Sequence, residues 1–454
     1  MTEFAHSTTQ SVCPECRQKV SARIVERQGE VFLDKWCATH GESSVLVSSD
    51  ASWYRESVHH VKPRQVPLAL QVENFQGCPE SCGFCTEHRQ HTCLPVIEIL
   101  RDCDLRCPVC LKGEANDERM DLATFEKVLD TLLAAEGSLP VVNLSGGEPT
   151  LHPEIAEFLR VARQKGVAQV TVSTNGLRLL EDPMLRDVFA ENGALVALQF
   201  DSMRDEDNRI LRGRAMYQQR MALLEILEKE AIPYSFVATI ARGVNEDQIA
   251  DLAELLFTSK ASTLMLQPVS LAGRAAEWDT SRRLTIPDVV AGLAKNQRLK
   301  REDFHPLPCS HPSCFAMSYF VETDDGIWKT LETFLGREGF LNLVTNRTLP
   351  GLDSEGFEAL RLRMYELWSA ADSADRSDRF LARLRDLLRR LPQVAGDQKA
   401  LMAIGRSSMK AIFIHDFMDV HSMDIARLQK CCNPYARTDG TLVPMCAQNV
   451  FFGG

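Results

Sequence analysis

From residue 95 onward the chain alternates between short apolar runs and helical stripes, and this alternation limits it to very few folds. Val96–Leu100 is apolar throughout. Behind a capping Asp121, residues Leu122, Phe125, Val128, Leu129, Leu132 and Leu133 recur at helical spacing. Val141–Leu144 is a second strand, and Pro153 suits the first turn of a helix that runs to about Gly166. Strands over Ala168–Ser173, Ala194–Phe200, Tyr234–Ala241 and Thr263–Val269 follow, with helices over Met216–Glu230 and Asp247–Thr258. Strand–helix units in series require a parallel sheet with right-handed crossovers. The expected class is α/β, a partial or full (β/α) parallel barrel over residues 95–273.

Residues that carry chemistry stand just after the strands, the end of a barrel where catalysis takes place. Cys103, Cys107 and Cys110 follow the first strand in a C-x3-C-x2-C pattern. Ser145-Gly146-Gly147-Glu148-Pro149 follows the second, and Thr174-Asn175-Gly176 the third; Gln199, Asp201 and Gln267 end later strands. Three thiolates on one loop are soft ligands suited to an iron–sulfur cluster or zinc, and three rather than four leave a position open. Cys78, Cys82 and Cys85 repeat the same spacing. Cys93 follows them as a fourth thiolate that could close that site, whereas no fourth cysteine lies near 103–110. The open site is therefore expected at Cys103, Cys107 and Cys110.

Fifteen cysteines in 454 residues, without a secretory signal at the N-terminus, read as metal ligands in a reducing cytoplasm rather than as disulfides. Cys13-x2-Cys16 and Cys37-x2-His40 form two knuckles about twenty residues apart, flanking a hairpin that turns near Gln28-Gly29. This is a zinc-ribbon or rubredoxin-like site over residues 1–60. A proline-bearing connector opens an auxiliary cysteine segment, 61–94. Residues 274–454 are expected to be helical and to carry a further site among Cys309, Cys314, Cys431, Cys432 and Cys446. In that region Phe357–Trp368 and Phe380–Leu391 read as helices. The second sets an apolar stripe against arginines, which suits packing on the domain and, as a weaker alternative, peripheral contact with an anionic membrane. The net charge of −11 argues against a nucleic-acid partner.

With C-x3-C-x2-C after the first strand and GGEP after the second, the chain resembles the radical S-adenosylmethionine (SAM) superfamily over about Pro95–Gly273. The resemblance implies that Cys103, Cys107 and Cys110 ligate three irons of a 4Fe–4S cluster whose fourth iron is chelated by SAM. It also implies reductive cleavage to a 5′-deoxyadenosyl radical. Gly146, Gly147 and Glu148 would then meet the methionine amine, and Ser173, Thr174 and Asn175 the ribose. Arg212 would meet the methionine carboxylate, with Gln199, Asp201 and Gln267 as further contacts. Beyond the barrel, CPEC…WCATHGE, GCPESCGFCTEHRQHTC and the terminal HDFMDVHSMD…MCAQN resemble a subfamily that includes tetraether lipid synthases and the methanogen hydroxymethylpterin dimethyltransferase. That likeness implies two auxiliary 4Fe–4S clusters, zinc or mononuclear iron at the N-terminal site, and a flavodoxin- or ferredoxin-like electron donor. It implies radical carbon–carbon bond formation; the arginine-lined helix makes alkyl coupling of a lipid chain the first expectation, with methylation of a pterin-like molecule as the alternative. A non-catalytic iron–sulfur carrier or redox sensor would account for the cysteines but not for GGEP, TNG and six strand–helix units.

Overall fold

The structure, a computed structural model, describes residues 4–59, 65–73, 77–79, 82–113, 115–279, 281, 283–308, 310–323, 326–346, 362 and 398–452. Cys309 lies outside the described residues, as do the helices expected over 357–368 and 380–391 apart from Leu362.

The N-terminal unit is a four-stranded antiparallel sheet: β1 (Phe4–Val12), β2 (Lys19–Arg27), β3 (Glu30–Cys37) and β4 (Gly41–Ser48). Gln28 and Gly29 turn β2 into β3 with φ of 54° and 84°. Both central residues being left-handed makes the two-residue turn that matches strand twist. A helix, Ala51–His59, covers one face, and Ala22, Ile24, Val31, Leu33, Val45, Ala51 and Tyr54 make a small separate core.

All six expected barrel strands form: β5 (Val96–Leu100), β6 (Val141–Gly146), β7 (Gln169–Thr174), β8 (Leu195–Gln199), β9 (Tyr234–Ile240) and β10 (Thr263–Pro268). They pair in that order, all parallel. The helix Leu122–Glu136 opens on Asp121, whose side chain accepts from Thr124 N, and closes on Gly137 at φ 74°. The next helix starts at Ile155, two residues after Pro153, because Pro149–Leu151 first makes a 3-10 turn. Two helices that the apolar runs do not reveal, Pro183–Asn192 and Asp205–Arg212, fill connections that sequence periodicity leaves blank. The second is strongly polar, with Leu211, Asn208 and Asp207 turned inward. Helices and strands share one continuous core, in which Phe125, Phe158, Phe189 and Phe236 are among the largest fully buried side chains.

The residues after 273 extend this same sheet. On one side β14 (Met409–His415) lies parallel to β10. Next to it β12 (Phe315–Glu322) runs antiparallel, flanked by β11 (His305–Pro306) and β13 (Trp328–Thr330). On the other side β15 (Pro434–Ala436) pairs in parallel with β5, and β16 (Leu442–Pro444) is antiparallel to β15. Among the described residues the hydrogen-bonded order ends at β11 and β16 without closure, so the barrel they form is partial.

Candidate active site at the strand ends

Inward-facing positions of a packed α/β barrel are usually bulky and branched. Here many are small or polar: Asn143 and Ser145 on β6, Thr171 and Ser173 on β7, Ala197 and Gln199 on β8. They pair with one another, Asn143 Oδ1 accepting from Thr171 Oγ1 at 2.9 Å and Ser173 Oγ at 3.1 Å, and they leave a cavity of about 530 Å³. Cys103, Cys107 and Cys110 line it. Cys78 and Cys82, of the look-alike triad, instead pack with Phe417, Met418 and Cys446. Two loops of identical spacing are thus told apart by which strand they follow.

The cysteine loop is held from both sides by glycine-dependent contacts. Gly147 N donates to Leu100 O at 2.7 Å and Glu148 N to Asp102 O at 2.9 Å. A Cβ on Gly147 would overlap Asp102 O, and one on Gly146, whose φ is 133°, would overlap Leu100 O. Sequence reading assigned these glycines to close approach by a cofactor; their first duty is to seat the GGEP turn on the cysteine loop. Beyond Cys110, Gly273 and Arg274 do the same. Arg274 N donates to Cys110 O at 2.9 Å, its guanidinium reaches Cys107 O and Gly113 O, and a Cβ on Gly273 would overlap Cys110 O. Arg274 is a cavity residue that sequence reading missed, since it lies beyond the last strand with no motif around it.

Glu148 is buried among partners. Its Oε1 accepts from Thr150 N, Thr150 Oγ1 and Thr174 Oγ1 at 3.1, 2.6 and 2.7 Å, and Oε2 from Asn175 N at 2.8 Å. Only Oε2 keeps a free lone pair for a cation in the cavity. Asn175 spends its side chain on Asp104 of the cysteine loop, at 2.6 Å, and on Leu177 N. GGEP, TNG and the cysteine loop therefore form one hydrogen-bonded unit. Gln199, Gln267, Ser173 and Thr174 line the cavity as expected.

Asp201 does not face the cavity. It is wholly buried, bonds Arg212 twice (2.8 and 2.6 Å), accepts from Thr239 N at 2.9 Å and meets Arg220 at 3.3 Å. Arg212, whose charge Asp201 neutralises, lies against Cys107. Burial raises the Cys107 thiol pKa, and the Arg212 guanidinium opposes that rise, favouring the thiolate a metal needs. Burial also pushes Cys103 up to about 12. Only an electropositive centre would hold both deprotonated at neutral pH, and thiolate sulfurs on one loop at the cavity wall are the donors that an iron–sulfur cluster takes.

The auxiliary cysteines do not group in space as they do in sequence. Cys78 and Cys85 lie within electrostatic range of Cys82, and so does Cys446 from the C-terminus. Cys446 also acts on Cys431, and Cys314 on Cys446. Cys93 sits beside Cys432: its backbone N donates to Cys432 O at 2.7 Å, the two share one apolar cluster, and both line the cavity.

The N-terminal site is well formed. Cys13 and Cys37 Sγ lie 3.4 and 3.6 Å from His40 Nδ1, and Cys16 Sγ lies 3.9 Å from Cys37 Sγ. A tetrahedron with metal–sulfur bonds of about 2.3 Å has sulfur–sulfur edges of about 3.8 Å. All four donor atoms lie within 4.8 Å of one another. Amides of Thr39 and His40, with the His40 ring, bring the Cys37 thiol down to about 6. The unit docks on the segment after β14, through Thr9 Oγ1 to Asp424 (2.7 Å), Ser11 Oγ to Met423 O (2.5 Å) and Lys35 Nζ to Val420 O (3.2 Å). Its own core is small, so Cys37→Ser should release one equivalent of metal and remove hydrogen-exchange protection from β1–β4, while the barrel strands stay protected. Full protection with the metal lost would show that the ribbon folds without it.

Comparison with known proteins agrees with this geometry. A family model described as the Radical SAM superfamily matches residues 97–256, and one described as the HMPTM N-terminal zinc ribbon domain matches residues 5–49. Among curated relatives, 7,8-dihydro-6-hydroxymethylpterin dimethyltransferase of Methanocaldococcus jannaschii is 26% identical, over 97% of this chain and 93% of its own. A GTP 3′,8-cyclase of Chlorobaculum tepidum is 33% identical over 35% of this chain and 48% of its own. A solved structure of Streptococcus suis SuiB bound to S-adenosylmethionine covers 40% of each chain at 19% identity, with a TM-score of 0.34. A partial parallel barrel with a three-cysteine loop seated on GGEP, and a family match over that same stretch, make residues 97–256 a radical SAM domain and the chain an enzyme.

Proposed function

We propose that the chain is a radical SAM methyltransferase acting on a small fused heteroaromatic compound of the pterin type. The observation that carries this reading is the near end-to-end match to the methanogen pterin dimethyltransferase, which spans ribbon, barrel and C-terminal region alike. Cys103, Cys107 and Cys110 would hold the 4Fe–4S cluster, which when reduced supplies the electron for SAM cleavage. Glu148 Oε2 and the inward polar residues of β7, β8 and β10 would bind SAM. Cys13, Cys16, Cys37 and His40 would hold zinc, consistent with the description of the matched ribbon family. The mixed array of Cys78, Cys82, Cys85, Cys93, Cys314, Cys431, Cys432 and Cys446 would hold auxiliary clusters, Cys446 standing between its two halves.

Lipid coupling has less support. The arginine-lined helix that suggested a membrane face lies outside the described residues, and no described helix is long and apolar enough to cross a membrane. The half-open cavity sets hydroxyl and amide side chains within a mainly apolar lining, which offers a flat heteroaromatic ring both packing surface and hydrogen-bond partners. The test is anaerobic incubation of the reconstituted enzyme with SAM, dithionite and 6-hydroxymethyl-7,8-dihydropterin, followed by mass spectrometry. A product carrying one or two additional methyl groups is expected. SAM cleavage with the pterin recovered unchanged, in the presence of cell extract as source of any further methyl donor, would overturn the reading.

A further inference from the structure

One wall of the cavity is built by the two chain segments that flank the cysteine loop in space. Lys112 lies two residues beyond Cys110. Tyr435 sits on β15, paired opposite Val96 of β5, and Asn449 belongs to the terminal turn. All three line the cavity that Cys103, Cys107 and Cys110 line. Tyr435 is 3% exposed and Asn449 7%. Asn449 Nδ2 has no hydrogen-bond acceptor among the described residues, and Tyr435 Oη and Lys112 Nζ have only the single carboxylate of Glu98 to share, without a well-aligned hydrogen bond to it. Buried polar groups are nearly always satisfied, and leaving one without a partner costs about 1–3 kcal/mol. One carboxylate cannot take all the hydrogens that an ammonium, a phenol and an amide offer, so donors are left on this wall, beside the reaction centre, for a ligand to complete.

The wall's charge narrows the ligand. Lys112 Nζ is 3.3 Å from Glu98 Oε1 and 3.7 Å from the centre of the Tyr435 ring. Arg101 lies 4.0 Å from Glu98 and 3.4 Å from Glu118. Two cations are matched by two carboxylates, so the wall offers hydrogens without a surplus of positive charge. A carboxylate or phosphate would call for that surplus; a neutral acceptor does not. Leu94, Val96, Leu111 and Met445 supply apolar surface around the donors. Donors set in apolar surroundings suit the edge of a flat ring bearing a carbonyl and ring nitrogens.

We propose that Lys112, Tyr435 and Asn449 bind the hydrogen-bond-accepting edge of the substrate's fused heteroaromatic ring, the lactam carbonyl oxygen and the unprotonated ring nitrogen peri to it, holding it against the cysteine loop. The proposal rests on the pterin reading above. It adds what that reading lacks: which wall recognises the ring, and by which edge.

The test is equilibrium binding to the reconstituted enzyme with SAM present and reductant absent. The probes are 6-hydroxymethyl-7,8-dihydropterin and its 2,4-diamino counterpart, in which an amino group replaces the lactam carbonyl. The wild type should prefer the lactam ring by more than tenfold, because the amino group turns an acceptor into a donor facing donors. Tyr435→Phe and Asn449→Leu should each raise Kd for the lactam ring about tenfold and narrow the preference. SAM affinity should not change and melting temperature should change little, since Tyr435→Phe keeps the ring under Lys112 and Asn449 Nδ2 has no protein acceptor to lose. Unchanged Kd in both variants would overturn the wall as the recognition site, and equal binding of the two rings would overturn the acceptor-edge assignment. Either result leaves methylation of a pterin intact as the function. A wild type that binds neither ring overturns this proposal together with the reading it rests on.

Discussion

Incubated anaerobically with SAM and dithionite, the Cys107→Ala protein is expected to form no 5′-deoxyadenosine above the protein-free background. Cys107 is buried at the centre of the loop and packs with Leu105 and Met216. It is also the thiol toward which the Asp201–Arg212 pair is directed. The flanking Cys103 and Cys110 lack a nearby fourth cysteine in sequence to take its place. With two thiolates the loop cannot hold three irons, and a metal site missing a ligand loses both affinity and geometry. Wild-type cleavage from this variant would show that the SAM-binding cluster lies elsewhere, at the triad that begins with Cys78. Iron analysis extends the test: the Cys103/Cys107/Cys110→Ala protein should retain substantial iron and sulfide if, as proposed, the cysteines grouped around Cys446 hold clusters of their own. Complete loss of iron from a protein that still melts cooperatively would sink that view.

Asp201→Ala should cost about 3–5 kcal/mol of stability, the range for leaving a buried charge unpaired. The expected magnitude follows from its partners, since two buried guanidiniums, Arg212 and Arg220, share one carboxylate. Burial raises the Asp201 pKa, but the charge and hydrogen bonds of Arg212, aided by Arg220, outweigh it and hold the carboxyl below its ordinary value. The sign for pH dependence follows. A carboxyl depressed in the folded state contributes its full stability above the unfolded value of about 4, and that contribution falls away as pH drops further. In chemical denaturation, wild type minus Asp201→Ala should therefore be constant at neutral pH and shrink in acid. A difference below about 1 kcal/mol at pH 7 would mean that the arginines find other partners. Because Arg212 then loses its anchor beside Cys107, iron loading of the cluster loop should fall as well.

Much of this architecture can be read from the order of residues, for a physical reason. Strand and helix impose different periods on buried side chains, so runs such as Val141–Leu144 and the stripe from Leu122 to Leu133 declare their elements locally. The two knuckles of the N-terminal ribbon are equally local, because a tetrahedral ion needs its donors in pairs on tight turns. Cys103, Cys107 and Cys110 are one turn of chain, so their common fate is also written in spacing alone.

What spacing could not decide depends on contacts between distant residues. The motif glycines seat two loops on each other, which requires knowing that Asp102 O and Leu100 O lie beneath them. Asp201 ends a strand like its neighbours, yet it turns away from the cavity because Arg212 and Arg220, more than ten residues later, claim its carboxylate. Cys93 belongs in sequence with Cys85 and in space beside Cys432, because β15 is added to β5 across more than three hundred residues. The sequence by itself determined the barrel strands, the ribbon and the three-cysteine loop, since each is set by short-range periodicity or ligand spacing. Only the tertiary structure decided how the distant cysteines are grouped, which carboxylate is spent on an arginine, and which buried donors face the cavity, since burial and hydrogen-bond partners are properties of the packed chain.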